Sequence, residues 1–239
     1  PRSPGHSTRP YGMRRWQYVC DLETAGRRML HGSRKLGPTQ IGVICDAIAT
    51  PVKVIRRARI LPTDTVAVFG AGGGLGIHML MLLHWAHARV IAVETRVEKF
   101  NACREAGADE VIDGTRNDLP EALIELSNGG IDVCVDFVSS EQTLEHAGQA
   151  LGKGGRLVTL GGSGQPFLAD PRAMLEKELE LIGSRYATKQ EVTESLELVA
   201  RGDVWPLVTD IRTMEEAESL HQHLEEGNII GRAALRISA

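Results

Sequence analysis

Short apolar runs rich in β-branched residues alternate with helical patterns over most of this chain. Each run is followed by a stretch with apolar residues at helical spacing, and Gly-containing joints connect the two. This alternation is typical of right-handed strand–helix–strand crossovers, and therefore of a parallel sheet covered on both faces. It predicts an α/β fold with a doubly wound, six-stranded parallel sheet. The six predicted strands are residues 65–69, 90–93, 110–112, 132–138, 156–160 and 178–182.

The composition excludes several classes of protein. The 239 residues are 42% apolar and 24% charged with a formal net charge of -4, which is unlike a disordered chain. No apolar run approaches the roughly 18 residues that a membrane span needs, and the excess of acids argues against nucleic acid as a partner. The four cysteines form no CxxC pair and no disulfide-scaffold spacing, so we expect a reducing, cytoplasmic location.

The two ends of the chain differ from its middle. Residues 1–38 contain no Ile and no Phe, and residues 1–40 carry eight Lys or Arg against two acids. We interpret residues 1–38 as a basic leader that is non-native or disordered; the alternative is a basic arm that binds an acidic partner. Residues 39–183 form the predicted sheet domain. Residues 184–239 contain two amphipathic helical patterns and a strand-like end, with no evident place in the six-stranded sheet.

A Gly-rich turn joins the first predicted strand to the helix after it. In the sequence Gly70-Ala-Gly-Gly-Gly-Leu-Gly76 the backbone can approach a phosphate closely, and the following helix N-terminus supplies N–H donors and a positive dipole. The register that fits the spacing of a dinucleotide-binding turn has Ala in the first Gly position. This register assigns cofactor binding to Ala71, Gly73, Gly74, Leu75 and Gly76.

An acidic residue ends the second predicted strand. Glu94 lies 18 residues after Gly76, where a carboxylate can accept hydrogen bonds from both hydroxyls of an adenosine ribose. The same charge would repel a 2′-phosphate, so we expect NAD and regard NADP as less favoured. Arg96 acts in the opposite direction, because an Arg at this place can hold a 2′-phosphate. Lys99, one helical turn further on, could contact the same ribose.

Six segments between residues 64 and 232 form a specific set, within a similarity that runs from about residue 39 to residue 237. They are DTVAVFGAGGGLG (64–76), RVIAVE (89–94), EKF (98–100), EAGAD (105–109), GGRLV (154–158) and GR (231–232). Together they resemble the cofactor domain of medium-chain, zinc-type alcohol dehydrogenases. The resemblance implies a Rossmann fold and an NAD(P)-dependent oxidoreductase that acts on an alcohol, an aldehyde or a ketone. It also implies that residues 184–239 are an incomplete remnant of the family's catalytic domain.

The resemblance implies roles for further residues. Thr50 resembles the residue that contacts the nicotinamide end of the cofactor, and we assign it to catalysis. Arg232 is the implied partner of the pyrophosphate. The other implied cofactor contacts lie at the carboxyl ends of strands four to six and are Val138, Ser139, Leu160, Gly161, Gly162, Ile182 and Ser184.

One implied zinc ligand lies near the start of the first predicted helix. In the family a Cys lies four residues before the Thr; here Asp46 holds that place and Cys45 is its neighbour. Either could bind zinc, since thiolate and carboxylate are both zinc ligands. The alternative is a helix-start Asp beside a buried Cys, and zinc-free reductases of the same superfamily also depart here. The resemblance thus implies zinc in intact members of the family and leaves open whether this chain binds it. His78 and the histidines after it show no metal-binding spacing, and we interpret them as structural or surface residues.

The sequence leaves two main functional hypotheses. The first is hydride transfer between NAD and an alcohol or carbonyl substrate, by a truncated chain that binds NAD with little activity. The second is a nucleotide-binding module or pseudo-enzyme that acts through a partner chain, favoured by an apolar segment at 205–208 that we expect to be exposed. A methyltransferase that uses S-adenosylmethionine is disfavoured by the sixth strand and the Gly-Arg tail. Strand 178–183 presents an apolar edge that could pair in a homodimer.

Overall fold

The computed structural model of the chain describes residues 36–161 and 169–237. The predicted leader, residues 1–38, lies almost wholly outside the described residues. In the described part, no helix is long and apolar enough to cross a membrane. The strands of the described residues are β1 (Thr65–Phe69), β2 (Arg89–Glu94), β3 (Glu110–Asp113), β4 (Ile131–Asp136), β5 (Leu151–Thr159), β6 (Glu180–Gly183), β7 (Val208–Thr213) and β8 (Arg232–Arg236).

Helices connect most of these strands. Short 3-10 turns at Val97–Lys99 and Met214–Glu216 and a π-helical turn at Ile44–Ile48 lead directly into the helices that follow them. The α-helices are α1 (Pro38–Val43), α2 (Ala49–Arg57), α3 (Gly76–Trp85), α4 (Phe100–Glu105), α5 (Leu119–Ser127), α6 (Glu141–Ala150), α7 (Pro171–Lys177), α8 (Lys189–Arg201) and α9 (Ala217–Glu225).

The first six strands form one parallel sheet. Their order is β3-β2-β1-β4-β5-β6, which confirms the predicted doubly wound fold. Phe69 in β1 lies opposite Val93 of β2 and Asp136 of β4, and Asp136 in turn lies opposite Thr159 of β5. The carboxyl ends of the central strands therefore meet at one edge of the sheet, where ligands bind in folds of this kind.

Apolar side chains cover both faces of the sheet. Val66 and Val68 of β1 pack into the cluster on one face. Ala67 and Phe69 pack into the cluster on the other face. Each of these four residues is at most 1% exposed, as expected of a central strand buried on both sides.

The C-terminal residues contribute to two separate parts of the structure. Helix α8 packs its Val192 and Leu196 against Val52 of α2 and Leu82 of α3, so it lies on the outside of the sheet domain. Strands β7 and β8 instead pair with each other as a two-stranded parallel sheet. This pairing agrees with the expectation that part of residues 184–239 has no place in the six-stranded sheet. The boundaries 39–183 and 184–239 stay predictions.

Residues 40–59 carry apolar residues at helical spacing, and Pro51 within them predicts a kink or break. In the structure the helix is continuous at Pro51. Helix α2 runs through this residue, and the irregularity is the π-helical turn that precedes it. There the backbone N–H of Ala49 donates to the carbonyls of both Ile44 and Asp46. A proline lacks an N–H and crowds the carbonyl four residues earlier, so a rearranged turn upstream relieves both problems.

Two further sequence expectations differ from the structure, and one helix has no predicted counterpart. The segment 205–208 is not exposed: Pro206 is buried and its neighbours are half-buried, because the segment packs on α3. Strand β4 ends at Asp136 and not at Val138, since the Asp136 side chain binds the backbone after it and turns the chain. Helix α7 was not predicted; Asp170 caps its N-terminus by accepting from the backbone N–H of Arg172 at 2.9 Å.

Candidate functional site

A cleft of about 420 Å³ lies at the carboxyl edge of the sheet, beside the Gly-rich turn. Most of the residues assigned to the cofactor from the turn, from β2 and from the C-terminal segment meet here. Those predicted residues are Gly73, Gly74, Leu75, Gly76, Glu94, Arg96, Lys99, Val138 and Arg232. The sequence analysis did not assign four other lining residues, which are Gly70, Thr95, Phe137 and Gly227.

The Gly-rich turn is folded tightly against the start of α3. A Cβ placed on Gly76 would lie 2.2 Å from the carbonyl oxygen of Gly70, so only Gly fits at this point of the turn. Ala71 lies beneath the turn, with its side chain fully buried in the core. The turn therefore offers backbone, with few side chains, to the cleft, as the binding of a phosphate group requires.

The carboxylate of Glu94 joins the Gly-rich turn to the end of β2. Its Oε2 accepts a hydrogen bond from the backbone N–H of Gly72 at 2.7 Å. Its Oε1 accepts from the N–H groups of Thr95 and Arg96 at 2.8 and 3.0 Å. Glu94 is only 6% exposed, so three donors hold one buried carboxylate in a fixed orientation at the cleft. Gly72, which the predicted register left out, is the residue of the turn that binds Glu94.

The two basic residues after Glu94 are held by the C-terminal segment. The buried ammonium group of Lys99 donates to the carbonyl oxygen of Ile229 at 2.8 Å. The guanidinium of Arg96 donates to the carbonyl oxygen of Glu226 and lies close to Gly227. Both cations therefore tie this side of the cleft to the loop between α9 and β8.

His78 connects α3 to the C-terminal segment. Its Nδ1 lies 2.8 Å from the carbonyl oxygen of Gly74, and its Nε2 accepts from the backbone N–H of Leu207 at 2.9 Å. A carbonyl can only accept, so the neutral ring carries its proton on Nδ1. Burial lowers the pKa of His78 to about 4, and the ring is neutral at pH 7. His78 is thus a structural residue, as the sequence analysis interpreted it.

Arg232 extends over the Gly-rich turn from the start of β8. A Cβ on Gly74 would lie 2.6 Å from Arg232 Nε, so the absence of a side chain at Gly74 makes room for the guanidinium. Arg232 Nη2 is hydrogen-bonded to Asp46 Oδ2, and Asp46 Oδ1 accepts from the Thr50 hydroxyl at 3.1 Å. The predicted catalytic residue Thr50, which is 3% exposed, is therefore linked to the predicted pyrophosphate residue through one carboxylate.

Asp136 organises the loop that follows β4, a role the sequence analysis missed. Its Oδ1 accepts from the N–H groups of Val138 and Ser139, both at 2.8 Å, and its Oδ2 accepts from the Thr143 hydroxyl at 2.7 Å. These bonds hold Ser139 at a φ of 54°, in the left-handed region. Burial raises the pKa of Asp136, while the hydrogen bonds that it accepts oppose this shift. The sequence does indicate this role, because an acidic residue at the end of an apolar strand becomes buried and then needs hydrogen-bond donors nearby.

The remaining predicted contacts lie at the ends of β5 and β6. The Ser139 hydroxyl lies 2.7 Å from that of Thr159 and accepts from the N–H of Gly161 at 3.0 Å. Ser184 donates its backbone N–H to the carbonyl of Thr159 at 3.1 Å, and its buried hydroxyl has no hydrogen-bond partner among the described residues. Leu160 is half-buried beside them, Ile182 packs into the core, and Gly162 lies outside the described residues.

The described residues do not form a zinc site. Over residues 36–161 and 169–237, no group of three or more His, Cys, Asp or Glu side chains is arranged to hold a metal ion. Both oxygens of Asp46 are engaged by Arg232 and Thr50, and Cys45 is exposed with its sulfur 3.6 Å from the carbonyl of Gly42. Metal binding by Asp46 or Cys45 stays a prediction, and no chemical step is derived from it.

Comparison with known proteins assigns the chain to a family. Residues 74–201, more than half of the chain, match the family described as zinc-binding dehydrogenase. This chain belongs to the zinc-binding dehydrogenases. The match covers the last three residues of the Gly-rich turn, β2 to β6 and α8, and thus most of the sheet domain described above. The resemblance inferred from the sequence segments is therefore confirmed.

Individual alcohol dehydrogenases are similar to most of this chain. An NAD-dependent alcohol dehydrogenase from Saccharolobus solfataricus is 30% identical over 210 residues, which are 87% of this chain and 60% of that protein. One from Sulfurisphaera tokodaii is 29% identical over the same shares. The solved alcohol dehydrogenase of Aeropyrum pernix is 31% identical with a TM-score of 0.76, over 81% of this chain and 56% of that one. The chain thus spans about three fifths of the length of these relatives.

Proposed function

We propose that this chain binds NAD in the cleft at the Gly-rich turn and belongs to an oxidoreductase that acts on an alcohol, an aldehyde or a ketone. The observation that carries the proposal is the buried Glu94 carboxylate, fixed beside the turn by its bond from Gly72. NAD supplies the hydride acceptor for such a reaction when it is bound. The similarity to NAD-dependent alcohol dehydrogenases supports the choice of cofactor and of reaction.

We assign the residues along the carboxyl edge of the sheet to successive parts of NAD, from the adenosine ribose to the nicotinamide. Glu94 provides acceptors for the ribose hydroxyls of the adenosine half. The turn, the N-terminus of α3 and Arg232 provide donors for the pyrophosphate. Val138, Ser139 and Gly161, at the ends of β4 and β5, continue the site on the other side of β1, toward the nicotinamide. The unpartnered hydroxyl of Ser184 lies at the end of β6, further along the same edge.

The proposal favours NAD over NADP. A 2′-phosphate next to Glu94 would meet a buried negative charge that three backbone donors already hold in place. The nearest cations, Arg96 and Lys99, keep their charges, but each donates to a carbonyl group of the C-terminal segment, so turning either toward a 2′-phosphate would break that bond. Binding of a 2′-phosphate would therefore require both the displacement of these bonds and the acceptance of a like charge.

For the 239-residue chain we propose cofactor binding with little turnover. Thr50 is the residue assigned to the reacting end, and the described residues supply no three-ligand metal group that could polarise a substrate oxygen. The alternative is a nucleotide-binding module that acts through a partner chain. We also propose a cytoplasmic location, supported by Cys103 and Cys134, which are buried and not joined in a disulfide.

Fluorescence titration with NADH, NADPH and S-adenosylmethionine tests the proposal. We expect saturable binding of NADH, weaker binding of NADPH and none of S-adenosylmethionine. A parallel assay follows NADH formation from a panel of primary and secondary alcohols, with and without added zinc. Robust zinc-dependent turnover would contradict the expected low activity, and preferential binding of S-adenosylmethionine would contradict the assignment to an oxidoreductase.

A further inference from the structure

We propose that Asp46 is a positioning residue that holds the Arg232 guanidinium over the Gly-rich turn for the cofactor pyrophosphate, and that this is its role in place of metal ligation. The inference rests on the proposed NAD binding. It differs from the interpretation of the sequence, in which Asp46 is a candidate zinc ligand because it occupies the position of a zinc-binding Cys in the family.

The bonds of the Asp46 carboxylate support this role. One oxygen accepts from Arg232, 186 positions away in the chain, and the other accepts from Thr50 on the next helical turn. A metal ion at Asp46 would have to displace the guanidinium or share the carboxylate with a neighbouring positive charge. The pair instead neutralises both charges at the rim of the cleft, where each side chain is partly exposed.

Arg232 keeps a free donor that faces the turn. Its Nε is buried above Gly74 and has no hydrogen-bond partner among the described residues. A guanidinium carries five N–H donors, so a bond from Nη2 to Asp46 holds the plane of the group and leaves other N–H donors for phosphate oxygens. Holding this long side chain in place before binding reduces the conformational entropy that binding would otherwise remove.

The local backbone explains how Asp46 reaches this position. Asp46 is the central residue of the π-helical turn Ile44–Ile48, and such turns are frequent at functional sites. The turn places the carboxylate between Thr50 and Arg232. Asp46 therefore links the residue assigned to the nicotinamide end with the residue assigned to the pyrophosphate.

A double-mutant cycle in NADH affinity tests the inference. The full chain, D46N, R232A and the double variant are titrated with NADH by fluorescence at one pH and one salt concentration. Because D46N removes the charge that holds Arg232 in place, we expect its NADH affinity to fall roughly tenfold. In the R232A background the same change should have almost no further effect. The matched control is D118N, which breaks an exposed Arg116–Asp118 pair outside the cleft and should leave NADH affinity unchanged.

Several results would overturn the inference. They are unchanged or tighter NADH binding by D46N, additive effects of D46N and R232A, and stoichiometric Co²⁺ binding by the full chain that D46N abolishes without a change in NADH affinity. Failure of the full chain to bind NADH would instead contradict the proposed function. In that case the same four proteins are compared by their urea unfolding midpoints, and additive midpoint shifts would still exclude the Asp46–Arg232 coupling.

Discussion

The Glu94 carboxylate accepts a hydrogen bond from the backbone N–H of Gly72 at 2.7 Å, and this bond closes the Gly-rich turn against the end of β2. The two residues lie 22 positions apart, in the turn after β1 and at the last position of β2. Strand pairing brings these two chain segments together, since Phe69 and Val93 are direct partners in the sheet. The acid of the cleft is thus positioned by the sheet and oriented by the turn.

We expect Glu94→Gln to weaken NADH binding and to reduce the preference for NADH over NADPH. The amide keeps the shape of the side chain and loses the charge that strengthens bonds from ribose hydroxyls and repels a 2′-phosphate. Bonds to charged groups contribute about 1.5–3 kcal/mol, so a loss of roughly tenfold or more in NADH affinity is expected. Fluorescence titration with both cofactors measures it. Glu98→Gln, at an exposed position four residues later, serves as the control; equal effects of the two changes would contradict the assignment.

Stability should fall at acid pH because of His78. The pKa of His78 is about 4 in the folded chain and close to 6.5 in an unfolded one. Between these values the unfolded state binds more protons, so the free energy of unfolding decreases as the pH falls. The stability that the neutral His78 ring contributes is fully present above about pH 6.5 and is lost toward pH 4. The total change in the free energy of unfolding is up to about 3 kcal/mol.

Urea unfolding of the full chain at several pH values between 7.5 and 4 measures this dependence. His78→Asn removes the titrating group, so the variant should be less stable at pH 7 and should show a flatter pH profile. The exposed His84→Asn is the comparison. An unchanged slope in His78→Asn would show that other groups cause the acid sensitivity.

Asp136→Ala should destabilise the chain strongly. It leaves the N–H groups of Val138 and Ser139 without their acceptor in a partly buried loop, and it removes one of the bonds of the Thr143 hydroxyl. Unsatisfied buried groups cost about 1–3 kcal/mol each, so we expect a loss of roughly 3 kcal/mol or more in urea unfolding. Asp113→Asn, at the half-buried end of β3, keeps an oxygen that can accept from the N–H of Thr115 and should change the unfolding midpoint little. Comparable effects at both positions would refute the role of Asp136.

The edge of the sheet at β6 is proposed as a homodimer contact. β6 is the last strand in the order of the six-stranded sheet, and Leu181 in it is 48% exposed. An edge strand with exposed apolar side chains can pair with a second copy. Light scattering should show a dimer for the full chain and a shift toward monomer for Leu181→Lys. A monomer at high concentration before mutation would contradict the proposal.

The fold and the acid of the cleft could be predicted because their signals are local. The six β-branched runs, the Gly-rich turn and Glu94 lie in short segments whose spacing reflects strand and helix periods directly. The end of β4 was harder to predict, because the side chain of Asp136 turns the chain two residues before the apolar run ends. The break expected at Pro51 is absent because the preceding turn adopts π-helical geometry, which has no simple sequence pattern.

The contacts of the C-terminal segment could not be predicted in the same way. His78 and Leu207 are 129 positions apart, and Asp46 and Arg232 are 186 apart. In the sequence, each of these residues has the features of an ordinary surface or core residue, and no local pattern identifies its partner. Only folding brings the two partners together. The expected exposure of residues 205–208 was wrong for this reason, since their partner is a histidine on a distant helix.

Calorimetric titration of the full chain with NADH, beside Gly74→Val, tests the central claim most directly. A side chain at this position would start 2.6 Å from Arg232 Nε and would fill the space above the turn. We predict one NADH bound per chain before mutation and no measurable binding by a folded Gly74→Val variant. Absence of saturable NADH binding by the full chain, or equal affinity in the variant, would contradict the assignment of this cleft to the cofactor.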